Sequence, residues 1–448
     1  MARTLNMTNG SPMKLLFSFA LPLMFGNIFQ QLYTVVDTAI VGRGVGMTAL
    51  AALGTVDWLN WMLLGIAQGF TQGFCIRMAQ KFGAQDLDGL KKTLGTSVVL
   101  TAIVAILGTL IAQLGLPVFL KWMQAPEYLI PSATLYSRII MGGFAAVCFF
   151  NLCSSTLRAV GDSKTPLIAM VVAAVTNIIL DIIAVFVLKW GIAGAAAATI
   201  FSQVLSGVLC AVKIAQTPEL RFTRQHITLE LPLAKDLMGI GIPAAAKNII
   251  IAVGGMVVQT VVNSFDSMSF IAGFTATNKL YGLLEIAALS YGYAVTTYVG
   301  QNYGAGLIPR IRSGVRAANT LALISSVVIA SIMFLFGRQI TMLFISREDL
   351  ALAMDAGETA YRYLCCMSAS LPVLYVLYVY MSALQGMGNT VAPMLSAVFE
   401  LVIRISVSII VAYIGFREGI FIAEVGAWFG GAATQALGYF WQIRKLPK

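Results

Sequence analysis

Two aspartates, Asp37 and Asp181, stand inside long apolar stretches of this chain, where an ionisable side chain is costly and marks function. Asn177 lies one helical turn before Asp181, and Tyr33 one turn before Asp37, so each pair shares a helix face. At about 1.5 Å per residue from one end of each stretch, Asp37, Asp181 and Thr199 all lie roughly 8–10 Å deep. Carboxylates, an amide and a hydroxyl at one depth form an oxygen-rich set that suits a hard cation such as sodium, or carboxyl groups that carry protons. The plainer reading is that polar neighbours hold each acid and both merely stabilise the helices. Two acids at matching depth repel unless a cation or proton lies between them, which argues for function.

The other intramembrane charges suggest pairs. Glu400 and Arg404 are spaced i, i+4, as for a structural ion pair on one helix face. Lys247 and Glu285 fall at similar heights on separate stretches and are candidates to pair across helices. Lys279 has no evident partner and either snorkels or faces a cavity. Asp57, beside Trp58 and Trp61, and Glu424 are weaker cavity candidates. The single histidine, His226, falls in a polar loop, so no histidine metal site or proton relay can be built. No metalloprotease, nucleophile-elbow, phosphate-loop or aspartate-rich diphosphate motif is present, so neither an enzyme nor an organic cofactor is expected.

The elements that must position these residues follow from composition. Of 448 residues, 58% are hydrophobic and 11% charged. A soluble domain carries about 25% charged residues, so a soluble globule is excluded. A polytopic helical protein and a transmembrane barrel are the alternatives left, and apolar runs of about 20 residues without strand alternation favour helical spans. They fall near 14–42, 49–78, 94–116, 131–156, 166–188, 192–214, 238–264, 270–299, 315–336, 356–384, 391–414 and 420–442, which makes twelve. With the N-terminus inside, eighteen Lys and Arg lie in inner segments and six, including Arg347, in outer ones. Arg3 and Lys448 are among the eighteen. That bias predicts both termini in the cytoplasm, and it explains the net charge of +10 without nucleic acid. The six cysteines lie in apolar runs and read as free thiols, and no cleavable signal peptide is visible.

The chain also repeats itself. An offset of 221 puts Pro22 on Pro243 and Gln80-Lys81-Phe82-Gly83-Ala84 on Gln301-Asn302-Tyr303-Gly304-Ala305. An offset of 227 puts Leu157, Gly161 and Pro166 on Leu384, Gly388 and Pro393. The six extra residues are expected in the outer loop from Arg338 to Asp355. Six spans per repeat make the two halves parallel, a pattern of secondary transporters that place their substrate between lobes. The expected fold is all-α, with twelve transmembrane helices in two pseudo-symmetric lobes, 1–214 and 238–448, joined by a cytoplasmic loop, 215–237. Asp37 maps onto Val258, Asp181 onto Ser408 and Asn177 onto Arg404, so the acids belong to the first lobe only.

The stretch from Pro22 to Gly46, with Gln30-Gln31-Leu32-Tyr33, Val36-Asp37-Thr38 and Val41-Gly42-Arg43, resembles the first helix of multidrug and toxic compound extrusion (MATE) transporters. Ala51-Ala52-Leu53-Gly54, the paired Gln-x-x-Gly-Ala ends and Leu157-Arg158-Ala159-Val160-Gly161-Asp162 followed by Pro166 extend the resemblance to essentially the whole chain. It implies a V-shaped cleft and export of organic cations and other amphiphiles against inward sodium or proton flow. In the DinF-like branch, Asp37, Asn177, Asp181 and Thr199 match the cation site, Tyr33 a nearby tyrosine, and Pro22 the proline at which the first helix bends. Gln30, Tyr33, Lys279 and Glu285 are the candidate substrate-cavity or coupling residues. Where the NorM-like branch has an acid after the proline of span seven, this chain has Lys247 and Asn248. The expected partners are a drug-like small molecule, a coupling cation and the lipids of the cell membrane, with the protein a monomer. The alternatives are a lipid-linked oligosaccharide flippase, which calls for a cleft lined with Arg and Lys, and a channel.

Overall fold

The computed structural model of the chain describes residues 5–122, 127–265, 267–342 and 350–446. Arg3, Arg347 and Lys448 lie outside the described residues, as does the side chain of Trp58. The apolar stretches become helices because, in lipid, a backbone amide finds its partner in the carbonyl one turn back. Their order is α1 (Pro12–Gly44), α2 (Met47–Gly83), α3 (Leu87–Trp122), α4 (Ile130–Gly142), α5 (Phe144–Ala159), α6 (Lys164–Ile182) and α7 (Gly191–Gln216). There follow α8 (Leu231–Ser264), α9 (Met268–Gly304), α10 (Ile308–Thr341), α11 (Leu350–Gly386), α12 (Val391–Ile414) and α13 (Phe421–Lys445). No strand occurs among the described residues.

Among the described residues, nine of these helices are long and apolar enough to cross a membrane, and α4 with α5, bent by 42°, makes a tenth if the pair is one span. The bend falls at Gly142-Gly143, where a Cβ on Gly143 would lie 2.4 Å from Ile200. The two remaining helices, α2 and α9, are diluted by polar residues such as Asp57, Asn60 and Gln68 on one and Lys279, Glu285 and Asn302 on the other. They complete the twelve.

The duplication is explicit in the element bounds. Helices α2 and α9 start and end 221 residues apart, and α5 and α11 end 227 apart. The turn before the fifth span repeats as well. Gly161 and Gly388 take φ of 86° and 88°, a left-handed geometry that glycine adopts freely. Asp162 Oδ1 accepts the amides of Lys164 and Thr165 at 3.1 and 3.0 Å, and Asn389 Oδ1 accepts that of Ala392 at 3.0 Å. The six extra residues are not in a longer loop. The stretch between α10 and α11 exceeds that between α3 and α4 by one residue, and α11, at 37 residues, is longer than α4, Gly143 and α5 together.

The chain divides into two compact units. One holds residues up to Met7 and Leu21–Asn248, the other Thr8–Ala20 and Ile249–Lys448. Both dividing points fall inside helices, α1 and α8. The segment 215–237 is therefore not a free loop. Helix α8 starts at Leu231, and the residues before it are pinned to α3, where the Thr96 hydroxyl donates to Thr228 O at 3.0 Å. The start of α8 is tied to α2: Arg77 Nε donates to Asp236 Oδ2 at 2.6 Å, and Asn248 Nδ2 to Gly65 O at 2.8 Å. Between these bonds the backbones approach so closely that a Cβ on Gly69 would sit 2.3 Å from Ala245 Cα. In the second unit, Arg310 of α10 donates to Gly10 O, just before α1, at 3.1 Å.

Candidate functional site

Asp37 lies in the C-terminal part of α1 and is half-buried, whereas Asp181, next to last in α6, is fully buried. After Ile182 the chain widens into a π-helical turn, Ile183–Val187, a distortion common where a helix presents a functional side chain. The carboxyl groups of Asp37 and Asp181 lie within interaction range of each other. Tyr33 lies within electrostatic reach of both. So does Tyr136 of α4, which also feels Asp57 of α2 and was not among the sequence candidates.

Below the pair is a cavity of about 30 Å³, room for a water molecule or a small ion. Gln30, Tyr33, Asn177 and Thr199 line it together with Ser202 and Gln203. Sequence reasoning missed the last two, although they follow Thr199 by about one turn on α7. The polar atoms here are short of partners. Asp37 Oδ1, both Asp181 oxygens, both side-chain atoms of Asn177, Ser202 Oγ and Gln203 Oε1 are buried without a protein hydrogen-bond partner. The Thr199 hydroxyl donates to Ala195 O at 3.1 Å, which leaves its oxygen lone pairs available. Buried polar groups are normally satisfied, so this concentration in one spot calls for a ligand. The set contains two carboxylates, amide oxygens and hydroxyls. It fits a hard cation or a proton, and no group of three His, Cys, Asp or Glu occurs among the described residues to favour a softer metal.

The second unit places its charges differently. Arg404 lies within electrostatic reach of Glu400 on its own helix, but its bidentate hydrogen bonds go elsewhere. Its guanidinium reaches α13, where Nε and Nη2 donate to Glu424 Oε2 and Oε1 at 2.9 and 2.7 Å. Glu424 also accepts the Trp428 indole at 3.3 Å and is a partly exposed ion-pair partner. Glu400 accepts the Ser396 hydroxyl at 3.4 Å. Glu285 accepts the Tyr378 hydroxyl, and Lys279 is exposed on α9. Lys247 is buried in the first unit. Pro22 sits within α1, two residues past the dividing point at Ala20, and deprives Ser18 O of its helical donor. All six cysteines are free thiols, with Cys365 and Cys366 half-buried and the rest buried.

The comparisons with known proteins agree with this architecture. The chain is 29% identical over 377 residues to a probable multidrug resistance protein, YpnP, of Bacillus subtilis, covering 83% of this chain and 82% of that protein. It is 27% identical over 350 residues to the DNA damage-inducible protein F of Escherichia coli, covering 70% of each. A MOP superfamily transporter from Pyrococcus furiosus superposes over 100% of this chain and 99% of its own with a TM-score of 0.93 at 23% identity, which is a likeness of fold. The sequence model of the MatE family matches twice, over 22–183 and 243–410, so its own two matches are offset by 221 residues at the start and 227 at the end. Those segments make up about three quarters of the chain. The protein is a multi-pass membrane transporter and not an enzyme, and it belongs to the MatE family.

Proposed function

We propose that this transporter is a secondary antiporter of the cell membrane that exports organic cations or other amphiphilic compounds in exchange for sodium ions or protons. The lobes 1–214 and 238–448 would alternate access to a site between them, with both termini in the cytoplasm. The observation that carries the reading is the pair of half-buried Asp37 and buried Asp181, with neighbours whose polar atoms lack protein partners. Like charges at contact in a low-dielectric site repel strongly, and a cation or proton between them removes that repulsion. Asp37, Asp181, Asn177 and Thr199 would hold the ion, with Tyr33 and Gln30 on the side of the cavity. The names of the relatives support drug export, and the mixed charge of the candidate residues favours amphiphilic cations over a lipid pyrophosphate, which calls for several Arg and Lys.

An efflux assay in proteoliposomes, with sodium and proton gradients imposed separately, tests the reading. Asp181→Asn should fold and insert normally yet lose uphill export under whichever gradient drives the wild type. Wild-type efflux from that variant would refute the assignment, and conductance without substrate exchange would make the protein a channel.

A further inference from the structure

We propose that Arg404 is a built-in cation, occupying in the second repeat the place that the mobile coupling cation takes in the first, so that the protein couples to one cation per cycle. The inference rests on the cation-coupling reading of the first unit.

The two places correspond closely. Helix α6 with its π-helical turn spans 164–187 and α12 spans 391–414, so both ends are offset by 227. The matched glycines at 161 and 388 and the matched caps at 162 and 389 fix the phase. Position 404 is then the counterpart of 177, and 408 that of 181. Burial agrees: Asn177 and Arg404 are 1% and 3% exposed, and Asp181 and Ser408 are both at 0%.

The packing around each position is complementary. The 221 offset of the opening helices pairs Tyr33 with Gly254 and Asp37 with Val258. In the first unit the large Tyr33 borders a cavity beside the short Asn177. In the second, Gly254 makes room for the long Arg404: a Cβ there would lie 3.0 Å from its Cδ and 3.2 Å from its Nη1. A bulky side chain on the opening helix and a short one on the fifth span have been exchanged for the reverse.

Charge follows the same exchange. The first unit brings two carboxylates together with no cationic side chain bonded to either. The second brings two carboxylates, Glu424 on the sixth span of its repeat and Glu400 on the fifth, within electrostatic reach of one guanidinium, which binds Glu424 in bidentate fashion. Arg is permanently charged and presents two parallel donors to a carboxylate, so it neutralises Glu424 at any pH and under any ion gradient. What the first unit must take from solution and give back, the second carries covalently.

Melting of the full-length protein in detergent tests this, with ionic strength held constant by choline chloride. Arg404→Ala should melt several degrees below the wild type. Free guanidinium at millimolar concentration should then raise that melting temperature with the logarithmic dependence of ligand binding, while the same titration leaves the wild type and the Arg404→Leu/Glu424→Gln double variant unmoved. No guanidinium response in Arg404→Ala would overturn the proposal; a purely structural ion pair leaves the same unpaired Glu424 and the same vacancy, so ion stoichiometry has to separate the two readings. Reversal-potential measurements in proteoliposomes supply the second readout. The wild type should exchange one cation per cycle, a count of two would overturn the proposal, and this decides the matter even where Arg404→Ala fails to fold. Asp181→Asn keeps the two readings apart. If that variant still couples, the first-unit assignment fails. If it loses coupling while Arg404→Ala shows no guanidinium response, only the built-in cation fails.

Discussion

Asp86 shows how one side chain closes a connection between spans. It stands between α2 and α3, where its Oδ1 accepts the Gly89 amide at 2.9 Å and its Oδ2 meets Lys81 Nζ at 2.7 Å. The bond from Lys81, followed by that from the Gly89 amide, holds its carboxyl below the usual carboxylate range. A depressed folded-state value means that its contribution is present above the ordinary carboxylate range and fades as pH falls through the lower, folded value. Loss of such a cap typically costs about 1 kcal/mol. Asp86→Ala should therefore melt below the wild type by a constant margin from neutral pH to mild acid, and the margin should close on strong acidification. A margin that widens in acid would contradict the assignment. At this scale the sequence was a partial guide. It led to Asp37 and Asp181 because acids are conspicuous in apolar runs. It suggested Glu400 for Arg404 because i, i+4 is the nearest spacing on one helix, whereas Glu424 lies on the next helix and no local pattern points to it. Tyr136, Ser202 and Gln203 were invisible because hydroxyls and amides are common in spans, and only packing brings these toward the acids.

Among the elements, α1 and the α2–α8 seam invite opposite substitutions. Pro22 leaves a soft joint in α1, and a helix with such a joint can exchange between straight and bent forms at small energetic difference. Pro22→Ala should slow export more than it weakens substrate binding, measured as efflux rate against affinity. An unchanged rate would mean that the proline is simply tolerated near a helix start, and equal losses would mean misfolding. The seam is rigid by contrast. A methyl at Gly69 has Ala245 Cα at 2.3 Å and Ala245 N at 2.5 Å, backbone atoms that cannot swing aside. Gly69→Ala should cost about 1–3 kcal/mol by overpacking. Gly54→Ala, on the same helix with nothing within 4 Å, should be neutral or gain about 0.5–1 kcal/mol from the lost flexibility of glycine. Thermal melting of the two variants side by side checks the contrast, and equal effects would mean that the close approach is not tight. Span boundaries were legible to within about seven residues because charge and Gly or Pro bound the apolar runs, and the helices run on past the apolar stretch into polar turns. The break at Gly143 was not, because a glycine pair also occurs in unbroken helices and the steric reason, Ile200, lies on α7. The extra turns of α11 were assigned to a loop because an insertion in sequence carries no sign of its conformation.

For the whole molecule, the two compact units do not coincide with the two sequence repeats. The first unit keeps the opening half of α8, held by Arg77 and the glycine seam, and the second keeps the opening quarter of α1, held in part by Arg310. A cut between Gln225 and His226 would therefore separate each unit from a helix it packs against. Neither fragment expressed alone should accumulate in the membrane, and the two expressed together should restore efflux. Accumulation of either fragment by itself would show that the repeats are self-sufficient. Were the two repeats separate polypeptides, the same packing would make a domain-swapped dimer, each copy lending the other the start of its first helix, and a linker such as 215–230 would have only to bridge that partnership.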